Sequence, residues 1–393
     1  MEKIFILGAC RTPIGRMGGS LSSVSAVDLG AVVIQESIKR AGLRAEDVDH
    51  VYMGCVIQAG LGQNVARQSA VKAGIPYEVP AETLNVVCGS GLDAVNTAAR
   101  LILSGDADIV VAGGMESMSN APYTLKQARF GYRMGNALVV DTMVNDALWD
   151  IFNDYHMGIT AENVAEKWKL TREELDSFAA DSQQKACKAV EWGTFIPEIV
   201  PVTVKQKKGE VVVDTDEAPR PGTTLESLSR LKPAFKDGGV VTAGNASGIN
   251  DGAASVILAS ESKVKELGLN PMAEWLGGAL GGVDPSIMGI GPVASTNKLL
   301  NKLNISIDDI DLVEANEAFA AQSIAVQREI GISDEKLNVN GGAIALGHPV
   351  GASGCRILVT LLYEMERRKA ETGLATLCIG GGMGCSTVIR RYS

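Results

Sequence analysis

Three short segments carry most of the chemistry open to this chain: Cys88-Gly89-Ser90-Gly91, Gly347-His348-Pro349 and Cys378-Ile379-Gly380-Gly381-Gly382. They offer two thiols and one imidazole, each beside glycine, in a chain with three histidines. A thiol nucleophile needs a base to take its proton. Making a carbon–carbon bond needs a second base, for a carbon acid. These segments can supply both.

The elements around them must do the positioning. Leu84-Asn85-Val86-Val87 reads as a strand, and an apolar-periodic helix follows from Leu92 to Leu103. Cys88 therefore sits at a helix N-terminus, where free backbone N–H groups and the dipole lower a thiol's pKa. The motif alone fits a buried structural cysteine equally well. His348 is placed at a loop tip before a helix beginning near Ala352, and a satisfied loop histidine is an equal reading there. Cys378 ends a strand before a glycine run whose N–H groups could cradle an oxyanion. Asn316 opens Asn316-Glu317-Ala318-Phe319 after another strand. Carboxyl ends of strands are where open α/β sheets bind ligands. His50 reads as an ordinary surface residue, whereas His156 could line a pocket. Gly289-Ile290-Gly291-Pro292-Val293-Ala294 loosely fits a dinucleotide loop, but carries a proline and follows no clear strand.

Composition bounds the class. The chain has 393 residues, 46% of them hydrophobic and 21% charged, with a net charge of −10. That length predicts two or three subdomains. The acidic balance argues against a nucleic-acid partner. No apolar run reaches the ~18 residues of a membrane span, and the N-terminus lacks a signal peptide's pattern. Seven cysteines, an odd number with no Cys-x-x-Cys pair, point to free thiols in a reducing cytoplasm and to no metal site. The basic run Lys205, Lys207 and Lys208 reads as solvated surface.

An internal repeat organises the chain. Asp47-Val48-Asp49 recurs as Asp309-Ile310-Asp311, 262 residues later. Val110-Val111-Ala112-Gly113-Gly114-Met115 recurs as Cys378-Ile379-Gly380-Gly381-Gly382-Met383, 268 residues later. Preserved order at a near-constant offset predicts two copies of one β/α unit. The expected division is a first half of residues 1–120 and 250–270, a loop-rich insert over 121–249, and a second half of 271–393.

Taken in order, Cys88-Gly-Ser-Gly, Asn316-Glu-Ala-Phe, Gly347-His-Pro and Cys378-x-Gly-Gly-Gly resemble the thiolase family. Arg11-Thr12-Pro13-Ile14-Gly15 and Gly113-Gly114-Met115-Glu116-Ser117-Met118-Ser119 join the match, which spans essentially the whole chain. His156-Met157-Gly158 and the overall length are similar to the short-chain branch. The resemblance implies an α/β, five-layer αβαβα fold: two duplicated βαβαβαββ halves around two central helices, with the insert as a loop domain. It implies an acyltransferase that condenses two acetyl-CoA reversibly to acetoacetyl-CoA and coenzyme A, through an acetyl group on Cys88. Broader-range 3-ketoacyl-CoA cleavage is the alternative; a non-catalytic coenzyme A-binding scaffold has no need of all three reactive groups.

The same resemblance assigns roles. Cys88 is the nucleophile, His348 its base and Cys378 the carbon-acid base. His348 and a water held by Asn316 form one oxyanion hole; the N–H groups of Cys88 and Gly380 form the other. Arg220, Ser227, Ser247 and His156 would hold coenzyme A. Leu148, Met157, Phe235, Ala243, Met288, Ala318 and Phe319 would wall an apolar channel. No cofactor is expected, the coenzyme A thioesters being substrates. Residues 123–141 look like the family's tetramer-forming arm, so a homotetramer, a dimer of dimers, is implied.

Overall fold

The computed structural model describes residues 2–207 and 209–392; Lys208 of the basic run lies outside them. Nine strands form the main path of a ten-stranded sheet. They are β1 (Ile4–Arg11), β2 (His50–Gly54), β3 (Ala81–Leu84), β4 (Ile109–Ser117), β5 (Asn250–Ser260), β6 (Ala273–Gly282), β7 (Leu312–Ala315), β8 (Thr372–Ile379) and β9 (Met383–Arg391). The larger helices are α1 (Ala26–Arg40), α2 (Val65–Lys72), α3 (Ser90–Ser104), α4 (Met157–Lys167), α5 (Arg172–Glu191), α6 (Gly291–Leu303), α7 (Ala320–Ile330) and α8 (Val350–Arg368).

The strand order is β7-β8-β9-β6-β1-β5-β4-β2-β3. It reads nearly as a palindrome about the β6–β1 junction. Parallel β7–β8 mirrors parallel β2–β4, and the antiparallel β8–β9–β6 run mirrors β4–β5–β1. The copies meet over three antiparallel pairs: Ile4 with Trp275, Phe5 with Glu274, and Ile6 with Ala273. This is the repeat seen in the sequence, and β5, which follows the insert, lies between β1 and β4.

Five layers result. α1 and α2 cover the outer face of the first half. α3 and α8 lie between the halves, each touching strands of both. α6 covers the outer face of the second half, with α7, α4 and α5 beyond it. A helix between the two halves of the sheet must be apolar all round. α8 is buried from Val350 through Leu362, and α3 buries ten positions including Leu92, Val95 and Ile102. The same core joins Leu92, Val95, Leu358 and Leu361 to Val110, Leu377 and Ile379.

The two central helices cross through glycine. A Cβ on Gly91 would lie 2.9 Å from the Gly351 oxygen and the Cys355 nitrogen; one on Gly354 would lie 2.5 Å from the Leu92 nitrogen. Backbone therefore packs on backbone, and the N-termini of α3 and α8 are brought side by side.

The insert is latched to β1. Arg11, fully buried, makes a bidentate pair with Asp216 at 2.7 and 2.9 Å and a third bond to Glu198 at 2.5 Å. These partners hold the guanidinium charged despite burial. Among the described residues no helix is long and apolar enough to cross a membrane.

Glycine is the poorer helix former, by about 1 kcal/mol against alanine. Gly91→Ala should nonetheless destabilise by about 1–3 kcal/mol, because the crossing is overpacked. A urea midpoint equal to or above that of the unaltered protein would mean that the helices can part freely.

Candidate active site

Cys88 sits in a strained turn. Val87 has φ +48°, a region that β-branched residues rarely enter. Local hydrogen bonds hold it there: the Asn85 side chain accepts from the Val87 N–H at 3.0 Å, and Ser90 Oγ accepts from the Val86 N–H at 3.0 Å while donating to the Val87 carbonyl at 2.6 Å. The sulphur is thereby presented over the start of α3. The N–H groups of Gly380 and of Cys88 itself point at it and favour the thiolate. Burial outweighs them and pushes the thiol up to about 11. The sequence expectation of a lowered pKa is thus corrected: desolvation of a buried charge exceeds the help of two donors.

His348 is fixed from behind. Gly347 adopts φ +110°, and the His348 N–H donates to Asn250 Oδ1 at 2.9 Å. Asn250 is itself tied to the Gly15 carbonyl at 2.9 Å. On the ring, Nδ1 lies 2.6 Å from Ser353 Oγ and 3.4 Å from the Asn316 amide nitrogen. Nε2 is buried without a partner. Burial, and secondarily the charge of Arg356, drive the imidazole down to about 3. Both thiol and imidazole are therefore neutral at rest.

Cys378 is the next-to-last residue of β8, fully buried, and its thiol is pushed up by burial and by the neighbouring Cys88. Cys88, His348, Cys378 and Gly380 line one cavity of about 470 Å³. Leu148, Met157, Phe235, Ala243, Met288, Ala318 and Phe319 also line it, as do His156, Ser247 and Arg220. The His156 ring stacks on Phe235 at 4.7 Å, and its Nδ1 accepts from the Gly158 N–H at 3.0 Å. The proton of the neutral ring is therefore on Nε2. A second cavity of about 320 Å³ shares Met17, Arg220, Ala243 and Ile249 with the first and adds Arg16.

Two expected residues stand apart from these linings. Asn316 is buried behind His348, with Oδ1 3.5 Å from Arg356. Ser227 is exposed on the short helix Leu225–Ser229, its hydroxyl engaged in the helix cap with Thr224. His50 is not an ordinary surface residue: it lies mostly covered in β2, with its ring 4.4 Å from that of Tyr52. The Gly289–Ala294 segment does follow a strand, β6, through a 3-10 turn. Gly289 faces Gln322 and Gly291 abuts the Met383 carbonyl, which leaves no room for a phosphate.

Several supporting residues have no role in the sequence reading, Glu116 and Met118 entering it only as letters of the Gly113–Ser119 match. Ser353 and Asn250 hold the two sides of His348. Glu116 is buried, accepts the N–H groups of Val56, Ile57 and Gly351, and so caps α8. Its burial raises its pKa to about 7. Met118 adds to the cavity wall. Ser353, five residues beyond the histidine on the helix that follows it, was the one with a local signal. Among the described residues no group of three His, Cys, Asp or Glu could hold a metal ion.

The description "Thiolase, N-terminal domain" matches residues 4–262, and "Thiolase, C-terminal domain" matches 269–391. The chain belongs to the thiolase family. This thiolase is 59% identical to the acetyl-CoA acetyltransferase of Syntrophomonas wolfei over 392 residues, 99% of each chain. It is also 59% identical to that of Pseudomonas aeruginosa, over the whole of both. Among solved structures it matches the Bacillus anthracis acetyl-CoA acetyltransferase (TM-score 0.98, 47% identity, covering 100% of this chain and 99% of that one). It matches human mitochondrial 3-ketoacyl-CoA thiolase nearly as well (TM-score 0.97, 44% identity, 100% and 99% covered).

Alkylation of Cys88 by iodoacetamide in the resting thiolase should keep rising with pH toward about 11. A plateau near neutrality, followed on the peptide that carries residue 88, would contradict the buried neutral thiol. His348 gives a second handle. Unfolded, it takes a proton near 6.5; folded, it resists until about 3. It therefore lowers stability as pH falls through that interval, and His348→Asn should flatten the decline in urea midpoint there.

Proposed function

We propose that this thiolase is an acetyl-CoA C-acetyltransferase that condenses two acetyl-CoA to acetoacetyl-CoA and coenzyme A, and runs the reverse thiolysis. The observation that carries the reading is one cavity holding two thiols, Cys88 and Cys378, and an imidazole whose Nε2 has no protein partner. The names of the full-length relatives at 56–59% identity support the substrate.

In the first half-reaction the Cys88 proton passes to His348 Nε2, and the thiolate attacks the acetyl carbonyl carbon. The tetrahedral oxyanion is received by the N–H groups of Cys88 and Gly380, which already converge on the sulphur. Collapse breaks the carbon–sulphur bond to coenzyme A, whose thiolate takes the proton from His348 and leaves. The Cys88 acetyl thioester remains. A second acetyl-CoA enters. Cys378 gives its proton to His348, and the resulting thiolate removes one from the methyl carbon. The enolate oxygen is held by His348 and a water bound by Asn316. The carbanion attacks the carbonyl carbon of acetyl-Cys88, the carbon–sulphur bond to Cys88 breaks, and the released thiolate takes back the proton held by His348 as acetoacetyl-CoA leaves. Water exclusion favours each step, because the charges develop where the protein offers fixed donors.

Coenzyme A lies along the cavity in this reading. His156 turns Nε2–H toward the pantetheine, Arg220 stacks on adenine, and Ser247 and Ser227 take polar contacts at the pocket and the rim. Met157 and Met288 fill the acyl end and favour short chains. No cofactor enters the reaction. The hairpin arm at Tyr123–Asp141 exposes Phe130, Met134 and Leu138 almost completely, and covering them is the reason to propose a homotetramer. The cytoplasm is proposed from the cysteine usage, with neither nucleic acid nor membrane as partner.

Cys88→Ser should lower acetoacetyl-CoA thiolysis by about 10²–10⁴-fold or more, because the hydroxyl is far harder to deprotonate than the thiol and forfeits at least the worth of an aided proton transfer. Cys378→Ala should still accept an acetyl group on Cys88, seen by mass spectrometry, yet fail to condense. Faster thiolysis of 3-ketohexanoyl-CoA than of acetoacetyl-CoA would overturn the short-chain assignment in favour of a broader 3-ketoacyl-CoA thiolase.

A further inference from the structure

The imidazole at the centre of this site has no carboxylate behind it. The groups at His348 Nδ1 are the Ser353 hydroxyl at 2.6 Å and the Asn316 amide nitrogen at 3.4 Å. The first is a short hydrogen bond; the second is at the outer limit of one. Ser353 therefore governs Nδ1.

A serine hydroxyl has one hydrogen and two lone pairs. Ser353 Oγ also lies 2.9 Å from the carbonyl of Pro349, four residues back at the N-cap of α8. A carbonyl can only accept, and back-bonding to the i−4 carbonyl is a recurrent habit of serine in helices. With that hydrogen placed on Pro349, the oxygen is left to accept from an Nδ1–H. The ring proton is then on Nδ1, and Nε2 carries the lone pair into the cavity. Arg356 lies 3.5 Å from the Asn316 oxygen, also at the outer limit of a hydrogen bond, so Asn316 is a weak partner on both sides beside the 2.6 Å bond of Ser353.

We propose that Ser353 is a positioning residue for catalysis. Its hydroxyl accepts from His348 Nδ1–H and passes its own hydrogen to the Pro349 carbonyl, which keeps Nε2 free to take a thiol proton. The same relay serves when Nε2 becomes protonated, because the imidazolium still needs an acceptor at Nδ1. A neutral partner suits a site whose thiols and imidazole rest uncharged. A carboxylate there would trap the imidazolium and hold the proton that the departing coenzyme A must regain. Ser353 is fully buried and outside the cavity lining, so it acts through His348 and not on substrate.

The inference rests on His348 as the base, and its test can be separated from that reading. Nitrogen NMR of the resting protein labelled at histidine reports which ring nitrogen bears the proton. With three histidines, His50 and His156 variants assign the signals. A protonated Nδ1 and a bare Nε2 are expected; a bare Nδ1 would mean that Ser353 donates to the ring, and would overturn the proposal even if the enzyme turns over. Ser353→Ala should slow acetylation of Cys88 by about 10–100-fold, by analogy with the loss when the outer hydrogen-bond partner of a metal-binding histidine is removed, with KM for acetyl-CoA nearly unchanged. Ser353→Thr, which keeps the hydroxyl, should recover most of the rate. A loss in KM alone, or no loss, would count against the proposal. Should the variants fail to fold, the tautomer of the unaltered protein still decides. Should His348→Ala acetylate Cys88 at the full rate, the fault lies with the reading of His348 as base instead.

Discussion

Two helices pass each other with no side chain between them, and the rest of the site follows from that contact. Gly91 and Gly354 let α3 and α8 touch backbone to backbone. Cys88 precedes the first helix and His348 the second, so the crossing sets the distance between nucleophile and base. Cys378 and Gly380 reach the same point from the end of β8, and Glu116 closes it from β4 by capping α8. No flexible loop alone could hold these groups, because each is mounted on an element buried on both faces.

Burial has an electrostatic consequence that helix dipoles do not offset. The N-terminus of α3 and two converging N–H groups favour the Cys88 thiolate, but enclosure between the two halves of the sheet costs more. The same enclosure keeps His348 neutral. Proton and charge then move together when a thioester displaces the remaining solvent, instead of being stored as an ion pair. That separates this site from thiol enzymes in which a preformed thiolate–imidazolium pair waits for substrate.

Much of the architecture was legible in the chain, and the reason is periodicity. The Val110/Cys378 correspondence falls on mirrored strands β4 and β8, and Asp47/Asp309 on 3-10 turns leading into mirrored β2 and β7, because a duplicated unit must repeat its apolar pattern to be buried the same way. The helix after Cys88 was placed within two residues of its true start. Cys88, His348 and Cys378 stood out because reactive side chains beside glycine are rare. Asn250 and Ser353 were given no role, and Glu116 entered only as one letter of the Gly113–Ser119 match. An asparagine at a strand start or a glutamate inside an apolar strand carries no local signature; its meaning lies in a partner 98 or 235 residues away. The Cys88 pKa was misjudged for the same reason: the dipole is local and visible in sequence, whereas the second half of the sheet that desolvates the thiol is not.

The place of β5 in the sheet bears on how the chain comes into being. It lies between β1 and β4, yet is separated from β4 by the whole insert. Until residue 260 has been made, the first copy has a gap one strand wide across its middle, and β1 has neither of its two neighbours, since β6 comes later still. Such long-range pairing makes folding slow, because the closure entropy must be met before contacts repay it. The insert's share of the cavity wall, Leu148, Met157, Phe235 and Ala243, is thus synthesised before the sheet that supports it is complete, and the emerging chain must carry apolar edges unpaired until then.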